Sequence, residues 1–270
     1  IVGPQTLQEL NKPIQDRIRQ IEINMERVRW TPSGFGQRSI MVNTPEFMLR
    51  VIENESVVIS MKVIVGKEYL STPIFTDTLS QIIFNPDWAI PPRIARSEIL
   101  PKLQGNLDAF PGGQYAIYES WNSGAPEVDI YSIDWKAMEP EQFDVFKVVQ
   151  LPGPANPLGH VKFVLPNKMS IYLHDTPSDH LFNKLQRGFS NGCIRLEHPF
   201  DLAIYLLSPA GWDHARIEET IQMPEPIPVT IPEPIAVHIL YRTAFVDEDN
   251  NLHFRQDFYG HDSAQTMLVN

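Results

Sequence analysis

Short runs of β-branched residues, separated by turn-forming residues, are the feature that most restricts how this chain can fold. The breaks between them carry Asn, Pro, Gly and Glu, which interrupt strands. These runs lie at residues 39–43, 47–52, 56–66, 80–85, 160–165 and 170–175. The pattern predicts short, mainly antiparallel strands, so a sheet should form the central layer of the fold.

Apolar residues at helical spacing precede the first strand. They recur at intervals of four and three residues, which predicts an amphipathic helix with residues such as Arg17 and Glu22 on its other faces. Pro32 and Gly34 are expected to end this helix. The apolar positions are Ile14, Ile18, Ile21, Met25 and Val28.

Three further patterns complete the local predictions. The segment "PQTLQELN" at residues 4–11 is typical of the last turns of a helix. A second helix should begin near Pro199, because proline is favoured at the first helical position, and continue through residues 200–207. Two strand-like runs around residues 247–251 predict a hairpin near the end of the sequence.

Residues 86–147 differ in composition from what surrounds them. They contain several prolines, the turn-rich stretches "FPGGQY" and "NSGAPE", and frequent Trp and Tyr residues. Two interpretations fit this segment equally. It is either an insertion that covers a functional site, or a proline-rich surface excursion with a small core of its own.

Composition and charge exclude several classes of function. The chain has 270 residues, 43% of them hydrophobic, and a formal net charge of −11 from 22 basic and 33 acidic residues. A protein this acidic lacks the basic face that nucleic acids or anionic lipids require. One cysteine allows no internal disulfide, and the dispersed histidines offer no close ligand pairs for zinc.

Cys193 and His174 are the strongest candidates for chemistry. A free thiol is mostly protonated at neutral pH, and a nearby imidazole can raise its thiolate fraction. His174 ends a predicted strand, and Cys193 follows a turn before another short predicted strand, so neighbouring strands could bring the two together. The alternative is ordinary, because a lone cysteine is more often a small buried hydrophobe and a lone histidine more often structural.

The turn before Cys193 adds to the case for a nucleophile. Gly192 allows a tight turn, and backbone N–H groups at Asn191, Gly192 and Cys193 could form an oxyanion hole. Ser190 could hold the turn through its hydroxyl. Arg195, on the same strand face as Cys193, could bind a carbonyl or a carboxylate. The letters "SNGC" alone are weak, because Asn-Gly is a common turn pair.

Taken together, these residues resemble the L,D-transpeptidase catalytic domain. The family signature is a His, then Ser/Thr-His-Gly-Cys, an aliphatic residue and Arg. The sequence matches it at His174, Ser190, Gly192, Cys193, Ile194 and Arg195. Asn191 stands where most members have a second His, a position that varies in the YcbB-like (LdtD-like) branch. The departure leaves His174 as the one histidine for the acid–base role. Stretches such as "FNPDW", "LPGPANPLGHVKFVLPN" and "YRTAFVD" agree with that branch.

The resemblance implies an α+β fold, with a mainly antiparallel β catalytic domain, flanking helices and an inserted capping subdomain. It divides the chain into residues 1–12, 13–85 with 148–270, and 86–147. The first range would be the remnant of a peptidoglycan-binding helical module. The second would be the catalytic domain, and the third the capping subdomain. The opening residues do not look like a natural start, which is consistent with a module preceding them.

The resemblance also implies an activity. Cys193 would attack a peptidoglycan tetrapeptide stem to form a thioester. His174 would act as general acid and base, and the backbone of Gly192 and Asn191 would bind the oxyanion. The diaminopimelate amine of a second stem would then complete a 3→3 cross-link. Because that acceptor amine is cationic, a net acidic protein is compatible with it.

Further expectations concern the surroundings of this chemistry. Arg195, Tyr172, Ser190 and Trp88 are expected to contact substrate, with no metal or other cofactor. Carbapenems would acylate the thiol of a monomeric periplasmic enzyme of a Gram-negative bacterium, which a missing N-terminal segment could anchor to the membrane. An L,D-carboxypeptidase or wall cysteine peptidase on the same scaffold, and a non-catalytic wall-binding module, remain alternatives.

Overall fold

The computed structural model describes residues 3–30 and 35–269, so the expected helix end at Pro32 and Gly34 lies outside the described residues. Its helices are α1 (Pro4–Leu10), α2 (Ile14–Trp30), α3 (Pro92–Ile94), α4 (Leu100–Gln104), α5 (Pro199–Leu207), α6 (His214–Ile221) and α7 (His261–Val269). Its strands are β1 (Arg38–Asn43), β2 (Met48–Glu53), β3 (Ser56–Gly66), β4 (Phe75–Phe84), β5 (Trp88–Ala89), β6 (Tyr115–Tyr118), β7 (Lys147–Gln150), β8 (Val161–Val164), β9 (Leu173–His174), β10 (Gly188–Ser190), β11 (Ile194–Leu196), β12 (Ile227–Leu240), β13 (Ala244–Val246) and β14 (Leu252–Phe254). Within these ranges, none of the helices has the length and apolar character needed to cross a membrane.

A nine-stranded sheet forms the centre of the molecule. Its order is β10-β3-β11-β9-β8-β4-β12-β1-β2, and β2 also pairs with β3, so eight of the strands close into a ring. Most neighbours are antiparallel, while the β1–β12, β3–β10 and β9–β11 pairs are parallel. The α+β fold with a mainly antiparallel sheet is confirmed. So are helix α5 after Pro199 and the β13–β14 hairpin.

Alternation along the strands separates a core face from an outer face. Phe163, Leu173 and Ile194 lie side by side on β8, β9 and β11, and all three are fully buried. Because successive side chains on a strand point to opposite faces, the residues next to them point away from this core. Helix α5 packs against β12 and adds Leu202 and Leu206 to the same core.

Helix α2 is present as predicted, but its apolar stripe is not the face that contacts the sheet domain. Ile14, Ile18, Met25 and Val28 are each at least half exposed, whereas Gln20, Asn24 and Arg27 are buried. These three recur at helical spacing and dock on the irregular segment after β12. Side chains there and unpaired backbone carbonyls need donors, so a polar stripe meets them better than an apolar one.

The docking contacts are specific hydrogen bonds. Gln20 donates from Nε2 to the carbonyl oxygens of Thr243 (3.0 Å) and Arg255 (2.9 Å). Asn24 donates from Nδ2 to Thr243 Oγ1 at 2.7 Å and accepts from the Thr243 amide at 2.9 Å. Arg27 completes the stripe with an ion pair to Asp262 at 2.5 Å.

A second, smaller sheet lies mainly within residues 86–147, the segment whose composition differs from its surroundings. Strands β5, β7 and β6 form it in that order, and it has its own core around Trp135, Phe143 and Ile99. Strand β7 extends this unit to Gln150, three residues beyond the expected boundary at 147. The buried Asn156 donates to the carbonyl oxygens of Pro86 and Gln150, at 3.0 and 3.4 Å, and so ties together the two ends of the unit.

The polar docking of α2 predicts a contrast in stability. Asn24→Ala would leave the amide of buried Thr243 without its acceptor and its hydroxyl with only the bond to Asp262, so it should lower the free energy of unfolding by about 1–3 kcal/mol. Met25→Ala, one residue along on the exposed face, should change it by less than about 0.5 kcal/mol. Urea unfolding followed by circular dichroism measures both. Equal losses would show that the apolar face also contributes to packing.

Candidate active site

Strand register places His174 between two cations. In the antiparallel β8–β9 pair, Lys162 lies opposite His174, and in the parallel β9–β11 pair Arg195 lies beside it. Paired residues on neighbouring strands project from the same face of a sheet. Lys162, His174 and Arg195 therefore form a row on the face opposite the buried row of Phe163, Leu173 and Ile194.

A cavity of about 720 Å³ opens over this row. One wall comes from the second, smaller unit, which contributes Trp88, Trp121 and the start of α3. The other side holds Cys193 and the loop before β9. The structure thus brings Cys193 and His174 to one pocket, beneath the unit formed by β5–β7.

A backbone carbonyl orients the His174 ring. Nδ1 lies 2.5 Å from the carbonyl oxygen of Asp175, which can only accept, so Nδ1 carries the proton and Nε2 keeps a lone pair. The Asp175 side chain holds this backbone by accepting from the amides of His160 and Thr176, each at 2.7 Å. Gly159 makes room for that carboxylate, since a Cβ there would lie 2.2 Å from Asp175 Oδ2.

The surroundings of His174 keep its ring neutral. Burial lowers the pKa of His174 to about 3, and the nearby charges of Arg195 and Lys162 act in the same direction. The hydrogen bond to the Asp175 carbonyl opposes them only in part. In the unliganded site His174 is therefore a neutral imidazole of low basicity.

The thiol of Cys193 is protonated in this state. Sγ donates to the carbonyl oxygen of Ser170 at 3.6 Å, a contact that a thiolate could not make. Burial raises the pKa of Cys193, while hydrogen bonds from Tyr172 and the charges of Lys162 and Arg195 oppose the rise. No hydrogen bond between Cys193 and His174 is found among the described residues. A rotation of the thiol away from Ser170 must precede proton transfer.

Hydrogen bonds within the turn before Cys193 engage Ser190 and Gly192. Ser190 is buried, and its hydroxyl donates to the Cys193 carbonyl (2.5 Å) and accepts from the Gly192 amide (3.0 Å). The Ser190 hydroxyl thus holds the turn, as expected from the sequence. Ser190 also belongs to the cavity lining, and its contact with substrate stays a prediction. The Gly192 amide is engaged too, so it is not a free oxyanion donor in this structure.

Gly192 is nevertheless required at its position. Its φ is +122°, and a Cβ would lie 3.1 Å from Ile171 Cδ1. A side chain would therefore be strained by the backbone and crowded by Ile171. The amides of Asn191 and Cys193 have no acceptor within the described part of the chain, so these two can bind an oxyanion.

The other expected residues line the same cavity. Arg195 lies at its floor, and its Nε is buried with no hydrogen-bond partner among the described atoms. The ring centroids of Tyr172 and His174 are 5.6 Å apart. Burial raises the pKa of Tyr172, with nearby Cys193 acting in the same direction and Trp88 opposing it. Arg93 reaches from the second unit to Asn191 Oδ1 at 3.4 Å.

Sequence reasoning missed Lys162 and Ser170. Lys162 follows the alternation of its strand, but only the β8–β9 register shows that it faces His174. Ser170 has a φ of +57°, which directs its carbonyl towards Cys193, and no sequence signal predicts this. The described lining of the cavity includes three cations and no Asp or Glu, although the whole protein is acidic. The negative net charge of the protein therefore does not predict the positive charge of this pocket.

Comparison with known proteins matches this arrangement to one family. Residues 37–229 match the family model of the YkuD L,D-transpeptidase catalytic domain. The chain is 31% identical over 244 residues to a Haemophilus influenzae protein that carries an L,D-transpeptidase name. The match covers 90% of this chain and 48% of that protein, so the chain spans about half the length of this relative.

Solved structures give weaker likeness. The L,D-transpeptidase LdtMt1 in complex with imipenem is 13% identical, with a TM-score of 0.34, and the match covers 76% of this chain and 59% of that one. An L,D-transpeptidase from Mycobacterium smegmatis is 12% identical, with a TM-score of 0.31 and coverage of 76% and 58%. We draw no functional argument from likeness at this level.

The protonated thiol and neutral imidazole predict the pH profile of Cys193. Alkylation by iodoacetamide should rise steadily from pH 6 to 9, about tenfold per unit, because a raised thiol pKa keeps the thiolate fraction small across this range. The rate is measured by mass spectrometry, with glutathione as the reference thiol. A plateau that begins at or below pH 7 would instead show a preformed thiolate–imidazolium pair.

Proposed function

Because the chain belongs to the L,D-transpeptidase catalytic-domain family, we propose that it forms 3→3 cross-links in peptidoglycan through a thioester on Cys193. The observation that carries this proposal is the shared pocket, in which Cys193 lies near a histidine whose Nδ1 is held by the Asp175 carbonyl. That hydrogen bond leaves the lone pair of Nε2 available to accept a proton. The donor is a tetrapeptide stem, and the bond cleaved joins diaminopimelate to the terminal D-alanine.

Acylation begins with transfer of the thiol proton to His174 Nε2 once Sγ leaves the Ser170 carbonyl. The thiolate attacks the carbonyl carbon of the scissile amide, and the amides of Asn191 and Cys193 stabilise the oxyanion. The C–N bond then breaks, and His174 gives its proton to the departing amine of D-alanine. A thioester on Cys193 and a neutral His174 result.

In the cross-linking step, the amine of the second stem is the nucleophile and the Cys193 sulfur is the leaving group. The side-chain amine of diaminopimelate on a second stem attacks the thioester carbonyl, and His174 accepts the proton that the new amide nitrogen loses. The C–S bond breaks, and the sulfur regains its proton from His174. The cations of the pocket favour the neutral form of the incoming amine, which is the form that attacks.

Water would hydrolyse the same thioester, so transfer needs a covered site. We propose that the β5–β7 unit is this cover, with Trp88 and Trp121 facing the cavity. We also propose that the enzyme works in the periplasm of a Gram-negative bacterium, where its stem-peptide substrates are found.

The test of function is the conversion of purified tetrapeptide muropeptides. The protein should give dimers whose mass is the sum of two monomers minus one D-alanine, and Cys193→Ala should reduce their rate at least about 1,000-fold. His174→Gln should reduce it by about 100-fold or more, because a general acid and base is lost. Mass spectrometry identifies the products. Tripeptide monomers without dimers would indicate a carboxypeptidase, and unchanged substrate would contradict catalysis.

A carbapenem should acylate the same sulfur. Attack on the β-lactam carbonyl opens the ring without loss of a group, so the protein mass should rise by one whole drug molecule. Intact-mass spectrometry after incubation measures this, with Cys193→Ala as the control. Equal uptake by the variant would place the nucleophile elsewhere.

A further inference from the structure

Lys162 is a half-buried cation that takes no direct part in the bond-making and proton-transfer steps above. It lies on β8 opposite His174, with its Nζ 4.2 Å from the centre of the Tyr172 ring. Lys162 belongs to none of the ion pairs among the described residues, and Asp87 acts on it only through longer-range attraction. Burial lowers the pKa of Lys162, which shows that its charge is held at a cost.

Arg195 is the second cation beside His174, on the opposite side from Lys162. Among the described residues it forms no ion pair, and its buried Nε has no hydrogen-bond partner there. A pair of half-buried cations that face one cavity, with no acidic residue in its described lining, favours an anionic ligand. The protein has a net charge of −11, so its overall charge does not attract anions and does not account for this local pair of cations.

We propose that Lys162, together with Arg195, forms a carboxylate-binding subsite that recognises the terminal carboxylate of the donor. This inference rests on the proposed function for the identity of the donor, while the anion site itself does not. It makes Lys162 a specificity-determining residue in addition to the residues that carry out the chemistry.

The position of the subsite follows from the chemistry at His174. The amine that His174 protonates is bonded to the carbon that bears the terminal carboxylate, so that carboxylate must lie next to the imidazole. The immediate cross-strand neighbours of His174 are Lys162 and Arg195. Lys162 is the better placed for a flexible contact, because its ammonium is a compact charge above the Tyr172 ring with three free donors.

A bound carboxylate would also alter the surroundings of His174. Without ligand, Lys162 and Arg195 disfavour the imidazolium. A negative charge between these cations offsets their repulsion, so His174 accepts the thiol proton more readily when a donor with a free carboxylate is bound. Substrate recognition and proton transfer are then coupled at one row of side chains.

Alkylation of Cys193 by small reagents tests the anion site without any peptidoglycan. Iodoacetate is anionic, iodoacetamide is neutral, and the ratio of their rates cancels any change in thiolate fraction. Lys162→Met should lower this ratio about three- to tenfold, because one nearby positive charge is lost. Lys162→Arg should largely retain it. In the wild type, added salt should lower the ratio, which keeps the test decisive if Lys162→Met does not fold.

Lys147→Met is the matched control. Lys147 also lies over a tyrosine ring, 5.7 Å from the centre of Tyr118, but it is not part of the cavity lining. Its variant should leave the ratio unchanged. An unchanged ratio in Lys162→Met, or an equal fall in Lys147→Met, would overturn the proposed subsite.

A second experiment compares donor stems that end in D-alanine with donor stems that end in D-alanine amide. The wild type should prefer the acid, and Lys162→Met should lose most of that preference in kcat/KM, chiefly through KM. If the wild type cross-links neither stem, the proposed function fails, while the alkylation ratio still decides whether the anion site exists. Equal use of both stems by an active wild type would overturn the assignment of the terminal carboxylate.

Discussion

The pairing of the two-residue strand β9 with β8 and β11 is the constraint on which the site depends. Leu173 and His174 are neighbours in the chain, yet one is fully buried in the core and the other lies at the cavity. A slip of one residue in either pairing would exchange them, placing an imidazole in the core and a leucine in the pocket. The apolar row that includes Phe163 and Ile194 therefore fixes the catalytic row as firmly as any contact within the site.

The strands, helix α2 and the candidate pair Cys193 and His174 could be predicted from the sequence, because each depends on local periodicity or a short motif. The orientation of α2 could not, since periodicity describes the helix alone and not the carbonyl oxygens of Thr243 and Arg255 that Gln20 binds. Lys162 was missed for a related reason. Its role depends on register between strands, which no run of residues encodes by itself.

Functional groups in a tight turn show a second limit of sequence reasoning. Ser190 and Gly192 both stand in the family signature, and an exposed hydroxyl and a free amide there would suit substrate. The structure instead joins them to each other and to the Cys193 carbonyl. Their contribution is the shape of the turn, which leaves the amides on either side of Gly192 free of partners. A motif identifies which residues matter, but only the hydrogen bonds show which groups shape the turn and which are available to substrate.

The hydrogen bond from the Cys193 thiol to the Ser170 carbonyl also affects how readily the sulfur is oxidised. Peroxides and disulfides react with thiolates and hardly with thiols, so a sulfur kept protonated is slow to oxidise. Ser170 adopts a left-handed backbone conformation, and Asn167 holds the surrounding loop by accepting from the amides of Met169 and Ile171. By keeping the sulfur protonated, this loop slows oxidation of the one cysteine in the sequence.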